Sequence, residues 1–196
     1  MKKGVITLLV IIAIVFVVFI WVKNAYNSMV REDENVQKAW SQVENVYQRR
    51  ADLIPNLVST VKGYAAHESS TLQAVVDARA KATQMKVDAQ DLTPEAMAKY
   101  QEAQGELGSA LGRLLMIQEN YPDLKANQNF LELQSQLEGT ENRITVERQK
   151  FNEAAKTYNT MIRQFPKNIF ASIFGFDKKP YFEAKEGADV APKVEF

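Results

Sequence analysis

The sequence predicts an all-α protein: an amino-terminal transmembrane helix, an antiparallel up-and-down four-helix bundle of long helices, and a short apolar carboxy-terminal helix. Three observations carry this reading. Residues 5–22, opening at Val5 and closing at Val22, are apolar except for Thr7. Beyond them apolar side chains recur at steps of three and four, which marks one face of a helix and not the alternation of a strand. Prolines and Asn/Asp pairs interrupt that rhythm at only a few points, so the connections are short. The implied domains are an anchor over residues 1–23, a bundle over 24–176 and a flexible tail over 177–196.

As a helix, the 18 residues of the first stretch cover ~27 Å, close to the ~30 Å hydrocarbon core of a bilayer. Lys2 and Lys3 flank one end and Lys23 the other, while Trp21 and Tyr26 stand where an aromatic belt forms. A cleaved signal peptide needs a shorter apolar run followed by a small-x-small site, and Ala25 is the only small apolar residue nearby. The lipid bilayer is therefore the first expected partner, through a retained single-pass anchor. The positive-inside rule weighs Lys2, Lys3 and the amino terminus against the spaced Lys23, Arg31 and Lys38. It puts the bundle on the extracytoplasmic side.

Val36, Trp40, Val43, Tyr47, Ile54, Leu57, Val61, Tyr64, Leu72 and Val75 form the first stripe of the body. Pro55 falls inside it. The unbroken phase of the stripe argues for a kink there, whereas element lengths argue for a break, because proline costs ~3 kcal/mol inside a helix. A break yields four segments of about 25, 33, 26 and 37 residues that can pack antiparallel with short connections. The next helix opens with Thr93 as N-cap and Pro94 at the first helical position, and runs to about Glu119. Its Gly105, Gly108 and Gly112 imply close approach of another backbone. After the turn at residues 121–127, Phe130, Leu133, Leu137, Ile144, Phe151, Ala155, Tyr158, Ile162 and Phe165 make a coiled-coil-like stripe that Pro166 stops. Residues 169–176 then read as a short apolar helix capped by Gly175.

Composition narrows the chemistry. There is no cysteine and one histidine among 196 residues, which removes disulfides, thiolate zinc sites and cysteine nucleophiles. His67 lacks the second histidine of a zinc-protease helix, with Thr71 at that position. A di-iron bundle is equally unsupported, so His67 reads as a capping or packing residue. Lys and Arg number 24, as do Asp and Glu; setting aside Lys2, Lys3 and Lys23 leaves the body with 21 basic against 24 acidic groups. That balance gives no bulk attraction for nucleic acid. Glu119, Asp123, Glu138 and Glu141 show no spacing that marks acid–base catalysis. Arg50, Glu68, Arg113, Glu141 and Arg148 fall on or beside the apolar stripes and are expected to pair across helices.

Several segments, in order, carry a resemblance. They are Arg49-Arg50-Ala51-Asp52-Leu53-Ile54-Pro55-Asn56-Leu57-Val58, Gly63-Tyr64-Ala65-Ala66-His67-Glu68 and Glu119-Asn120-Tyr121-Pro122-Asp123-Leu124-Lys125-Ala126-Asn127. Phe130-Leu131-Glu132-Leu133, Leu137-Glu138-Gly139-Thr140-Glu141-Asn142-Arg143-Ile144, Tyr158-Asn159 and Phe165-Pro166 continue the series. With them the chain resembles the LemA family of bacterial membrane-anchored proteins, from Met1 to about Phe182. The resemblance implies one membrane helix, an antiparallel helical bundle and a bacterial cell membrane. It carries no agreed catalytic residues, so it implies no reaction. A magnetosome-associated branch is similar to the family, which implies membrane-organising work.

No catalytic, cofactor-binding or metal-binding residue is assigned. The expected function is a non-catalytic, membrane-tethered scaffold that binds other membrane or envelope proteins. A receptor with a pocket between helices is the alternative, and a membrane-bound hydrolase a weaker one. The antiparallel arrangement brings Arg49, Arg50, Asp52 and Asn56 towards the same end as Tyr121, Asp123, Lys125 and Asn127, and that polar, proline-bearing end is the candidate partner site. Phe170, Phe174 and Phe176 belong either to a lid over the bundle or to an interfacial element. A stripe over residues 36–47 that exceeds what the bundle covers is compatible with a homo-oligomer.

Overall fold

The computed structural model describes residues 3–90 and 92–183, and all regular structure among them is helical. The order is α1 (Lys3–Tyr64), α2 (Ser69–Gln84), α3 (Pro94–Met116), a 3-10 turn (Ile117–Asn120), α4 (Pro122–Lys125), α5 (Gln128–Arg163) and α6 (Lys167–Phe174). α1 is 62 residues long and contains both the apolar stretch and the spine of the body. Residues 5–21 are exposed throughout, in a helix long and apolar enough to cross a membrane. Burial begins at Ala25.

The expected break at Pro55 does not occur. α1 runs through the proline and ends at Tyr64, and the chain reverses over residues 65–68 instead. A proline has no N–H to donate and so orphans the carbonyl four residues back, which is that of Ala51. Arg79 on α2 replaces the missing donor: its Nε donates to the Ala51 carbonyl oxygen at 2.8 Å. The apolar stripe therefore keeps its phase, with Ala51, Ile54, Leu57 and Val61 all buried. Arg79→Met is expected to lower stability by ~1–3 kcal/mol, the range for a buried acceptor left unmet. In a Pro55→Ala background the new N–H satisfies Ala51, so the Arg79→Met effect is expected to shrink below ~0.5 kcal/mol in a urea double-mutant cycle.

With α1 unbroken, α5 lies along it with opposite sense, as the pairings Trp40 with Phe151 and Arg50 with Glu141 show. α2 and α3 form a hairpin over the distal half, and Lys81 meets Glu106 across it at 2.8 Å. The core has two parts. The distal part gathers Ile54, Leu57, Val61, Leu72, Leu107, Leu114, Leu124 and Phe130. The proximal part gathers Met29, Val36, Trp40, Val43, Tyr100, Ile144, Phe151 and Phe182. The stripe over 36–47 is thus fully covered within one chain, which removes the surplus face on which the homo-oligomer expectation rested.

Two further expectations change. The tail beginning at Asp177 opens as a packed strap: Asn159 and Asn152, one heptad apart on α5, each bind its backbone reciprocally. Asn159 accepts from Lys179 N–H at 2.9 Å and donates to Lys179 carbonyl at 2.8 Å. Asn152 does the same with Phe182 at 2.9 and 3.0 Å. The remainder of the expected tail, from residue 184, lies outside the described residues. Close backbone contact at the α3 glycines is also absent among the described residues: a Cβ at Gly105 or Gly112 would meet nothing of them within 4 Å, and one at Gly108 only Arg50 Nη1 at 3.9 Å. Gly105 and Gly108 instead leave room beside a cleft.

Candidate functional site

Between α1, α3 and α5 lies an open cleft of about 710 Å³, bordered by Tyr47, Arg50, Gln101, Gln104, Glu141 and Arg148. It sits at the level where the two core regions meet. Arg50 is 4% exposed there, held on a helix face that is otherwise apolar. Its Nη1 donates to Glu141 Oε2 at 2.9 Å, and its Nη2 to the carbonyl and side-chain oxygens of Gln104 at 3.1 and 2.7 Å. Its Nε has no partner among the described residues, and its guanidinium stands 5.1 Å from the Tyr47 ring. Glu141 is 62% exposed, so the pair joins a buried cation to a hydrated anion.

Arg148 completes the cleft wall. It donates to Gln101 Oε1 at 3.2 Å and to the Glu183 carbonyl at 3.0 Å, and lies over the Phe182 ring at 4.6 Å. Burial pushes the Tyr47 and Tyr100 phenols above their ordinary range, with Arg148 and Arg50 opposing the rise at Tyr47. Both therefore stay protonated at neutral pH and cannot serve as bases. Glu44, on the neighbouring face, is also raised: burial is the largest cause, the nearby Trp40 indole opposes it, and Asp88 adds to the rise. A carboxyl raised on folding favours the folded state at acid pH, and this contribution is lost as pH climbs through the raised pKa. Glu44→Gln is accordingly expected to raise Tm at pH 7 and to leave it unchanged below about pH 4, a comparison that thermal melts at the two pH values make directly.

The predicted partner-binding set is not brought together. Arg50 lies 14 residues before the end of α1, ~21 Å along the axis, because the helix does not turn at Pro55. Arg49 and Asp52 are exposed on that middle stretch, where Gln48 holds Asp52 at 2.7 Å. Asn56 borders a shallow polar groove with Thr60, Asn129 and Gln136. The distal end is built from other residues. Asn127 caps α5 by accepting from Phe130 N–H at 3.0 Å, and donates to the Tyr64 hydroxyl at 2.8 Å. Tyr121 donates to Glu68 Oε1 at 3.2 Å. Asp123 and Lys125 are exposed on α4, free of the core that Leu124 enters. His67 is exposed in the α1–α2 turn, which corrects the expectation of a buried packing histidine.

At the opposite end α6 lies against α1. Phe170 meets Trp21 edge-on at 5.3 Å, and Phe174 and Phe176 meet Tyr26 at 5.1 and 5.6 Å. Sequence reasoning missed Tyr47, Gln104, Asn152 and Asn159. The signal was present for the asparagines, which flank Phe151 and Tyr158 inside an apolar stripe and so needed buried partners.

The chain is 31% identical to magnetosome protein MamQ of Magnetospirillum gryphiswaldense, over 86% of this chain and 70% of that protein. It is 31% identical to magnetosome protein MamQ 2 of Paramagnetospirillum magneticum, over 84% of this chain and 66% of that one. Protein LemA of Metamycoplasma hominis is 26% identical over 82% of this chain and 69% of its own length. The chain thus spans about two thirds of the length of the curated relatives it matches. The profile of the LemA family matches residues 39–196, which takes in all of the body from Trp40 through the strap, and the chain belongs to the LemA family.

Proposed function

We propose that this protein is a non-catalytic, membrane-anchored four-helix scaffold on the extracytoplasmic face of the bacterial membrane, which binds other membrane or envelope proteins through its distal end. The observation that carries the reading is α1: one helix supplies both an exposed apolar span and the spine of the bundle. Any partner of the distal loops is thereby fixed at a set distance from the bilayer, ~60 Å along the 42 residues after Val22. The polar groups of the core are directed at other parts of the chain, Arg50 at α3 and α5 and Asn152 and Asn159 at the strap. The relatives named magnetosome proteins support an envelope-organising role here.

The test is photo-crosslinking in native membranes from probes at Asn120 and Ala126, both exposed beside Asp123 and Lys125, with Asn45 on the bundle flank as control. A defined adduct from the distal positions that Asp123→Ala with Lys125→Ala abolishes is expected. Equal labelling of bulk membrane protein from all three positions would overturn the reading. The cleft favours a second one, a receptor for a small anion held by Arg50 and Arg148. Thermal shifts by carboxylate or phosphate compounds that vanish in Arg148→Gln would select it.

A further inference from the structure

We infer that α6, with Phe165 before it, is a second membrane contact: an apolar foot seated at the lipid headgroup and acyl boundary beside the α1 span. This rests on the anchored reading of α1 and deepens it. Ile169 and Ile173, one turn apart on α6, are 49% and 68% exposed, and Phe165, in the turn just before the helix, is 81% exposed, so the described bundle leaves these apolar side chains uncovered. The opposite face of α6 is spoken for, with Ala171 4% exposed and Phe170 packed on Trp21.

The occupant follows from depth. Trp21 is the penultimate residue of the apolar run, and Tyr26 lies five residues on, ~7.5 Å further along the axis. Contacts from Phe170 to the first and from Phe174 and Phe176 to the second hold α6 across that interval. The interval is where a bilayer passes from acyl chains to headgroups, the zone in which amphipathic helices bury their apolar face. The uncovered face of α6 is therefore continuous with the exposed apolar surface of residues 5–21. Lys23, two residues past Trp21, Lys167 at the start of α6 and Lys178 just after it supply positive charge against Asp177, which suits phosphate-bearing headgroups. A foot beside the span gives two points of attachment and fixes the tilt of the rod, which a single helix crossing the bilayer does not.

The chain contains no cysteine, so single probes can be placed cleanly. Full-length Ile173→Cys, Val15→Cys and Met116→Cys variants are labelled with an environment-sensitive fluorophore and reconstituted in phosphatidylcholine vesicles with and without phosphatidylglycerol. Nitroxide lipids labelled shallow or deep on the acyl chain then serve as quenchers. The expected result is blue-shifted emission at position 173, quenched several-fold more by shallow than by deep nitroxide. Position 15 is quenched by deep nitroxide and position 116 by neither. A probe at 173 that matches 116 while 15 is quenched would overturn the foot and leave the anchor standing. Blue-shifted emission at 173 without quenching would overturn it in favour of a protein neighbour or a second copy. Loss of quenching at both 173 and 15 would overturn the anchor itself. Phe165→Cys, at the most exposed position, repeats the measurement should Ile173→Cys disturb the fold, which helix content by circular dichroism reports.

Discussion

Trp40→Ala is expected to lower the stability of the bundle by ~4–6 kcal/mol, the largest effect of any single substitution considered. Truncating a buried tryptophan costs ~3–5 kcal/mol in lost transfer energy and cavity, and Trp40 is 0% exposed. Its ring touches Tyr100 at 5.1 Å, Phe151 at 5.6 Å and Phe182 at 5.9 Å, so one cavity loosens α1, α3, α5 and the strap together. Its Nε1 donates to the Val87 carbonyl at 3.1 Å, and that acceptor lies in the otherwise irregular α2–α3 connection. Leaving it unmet adds ~1–3 kcal/mol. Thermal melts of the detergent-solubilised chain should show Tm falling by more than ~8 °C. Trp40→Phe, which keeps most of the aromatic packing but not the donor, should fall between. A Trp40→Ala melt within ~1 kcal/mol of the parent would contradict the account of the proximal core.

The second large effect is expected at Arg50, and its signature is an asymmetry. Arg50→Ala removes a side chain that is 4% exposed and leaves the Gln104 side chain, itself 7% exposed, without its partner. The expected loss is ~3–5 kcal/mol. Glu141→Gln keeps an acceptor at an exposed position, and the Gln104 oxygens still hold Nη2, so the loss should stay near ~1 kcal/mol. Arg50→Met restores the packing of the stem but still leaves the Gln104 oxygens unmet, so it is expected to recover only part of the Arg50→Ala loss. Chemical denaturation of the three variants ranks them. Equal losses at Arg50→Ala and Arg50→Met would mean that the hydrogen bonds, and not the packing of the stem, carry the stability.

The boundaries of the helices were legible where local chemistry decides them. Thr93 accepts from Ala96 N–H at 3.1 Å with Pro94 behind it, which is the cap its sequence announces. Pro166 follows the end of α5, and Gly175 ends α6 at a φ of 74°. Pro55 misled because its effect is settled at a distance: the donor that keeps the helix whole is Arg79, 28 residues beyond the Ala51 carbonyl it satisfies. Once α1 is continuous, the grouping of Arg50 with Asp123 fails, since that grouping assumed a reversal at the proline. The strap was invisible for a similar reason. Residues 177–183 are polar in composition, and what orders them is the Asn152 and Asn159 pairing on α5 and the ion pair of Lys179 with Asp33 at 3.1 Å. The cleft was foreshadowed only through Arg50, Glu141 and Arg148 as expected cross-helix partners.

The central claim is that one unbroken helix runs from the bilayer to the distal end of the bundle. Spin labels at Lys38 and Lys62, both exposed on α1 and on either side of Pro55, test it most directly by pulsed electron resonance on the full chain in lipid nanodiscs. A continuous helix separates these positions, 24 residues apart, by ~36 Å and gives a single narrow distribution there. A reversal at Pro55 would fold Lys62 back towards Lys38 and bring the maximum below ~20 Å, contradicting the architecture on which the scaffold reading stands.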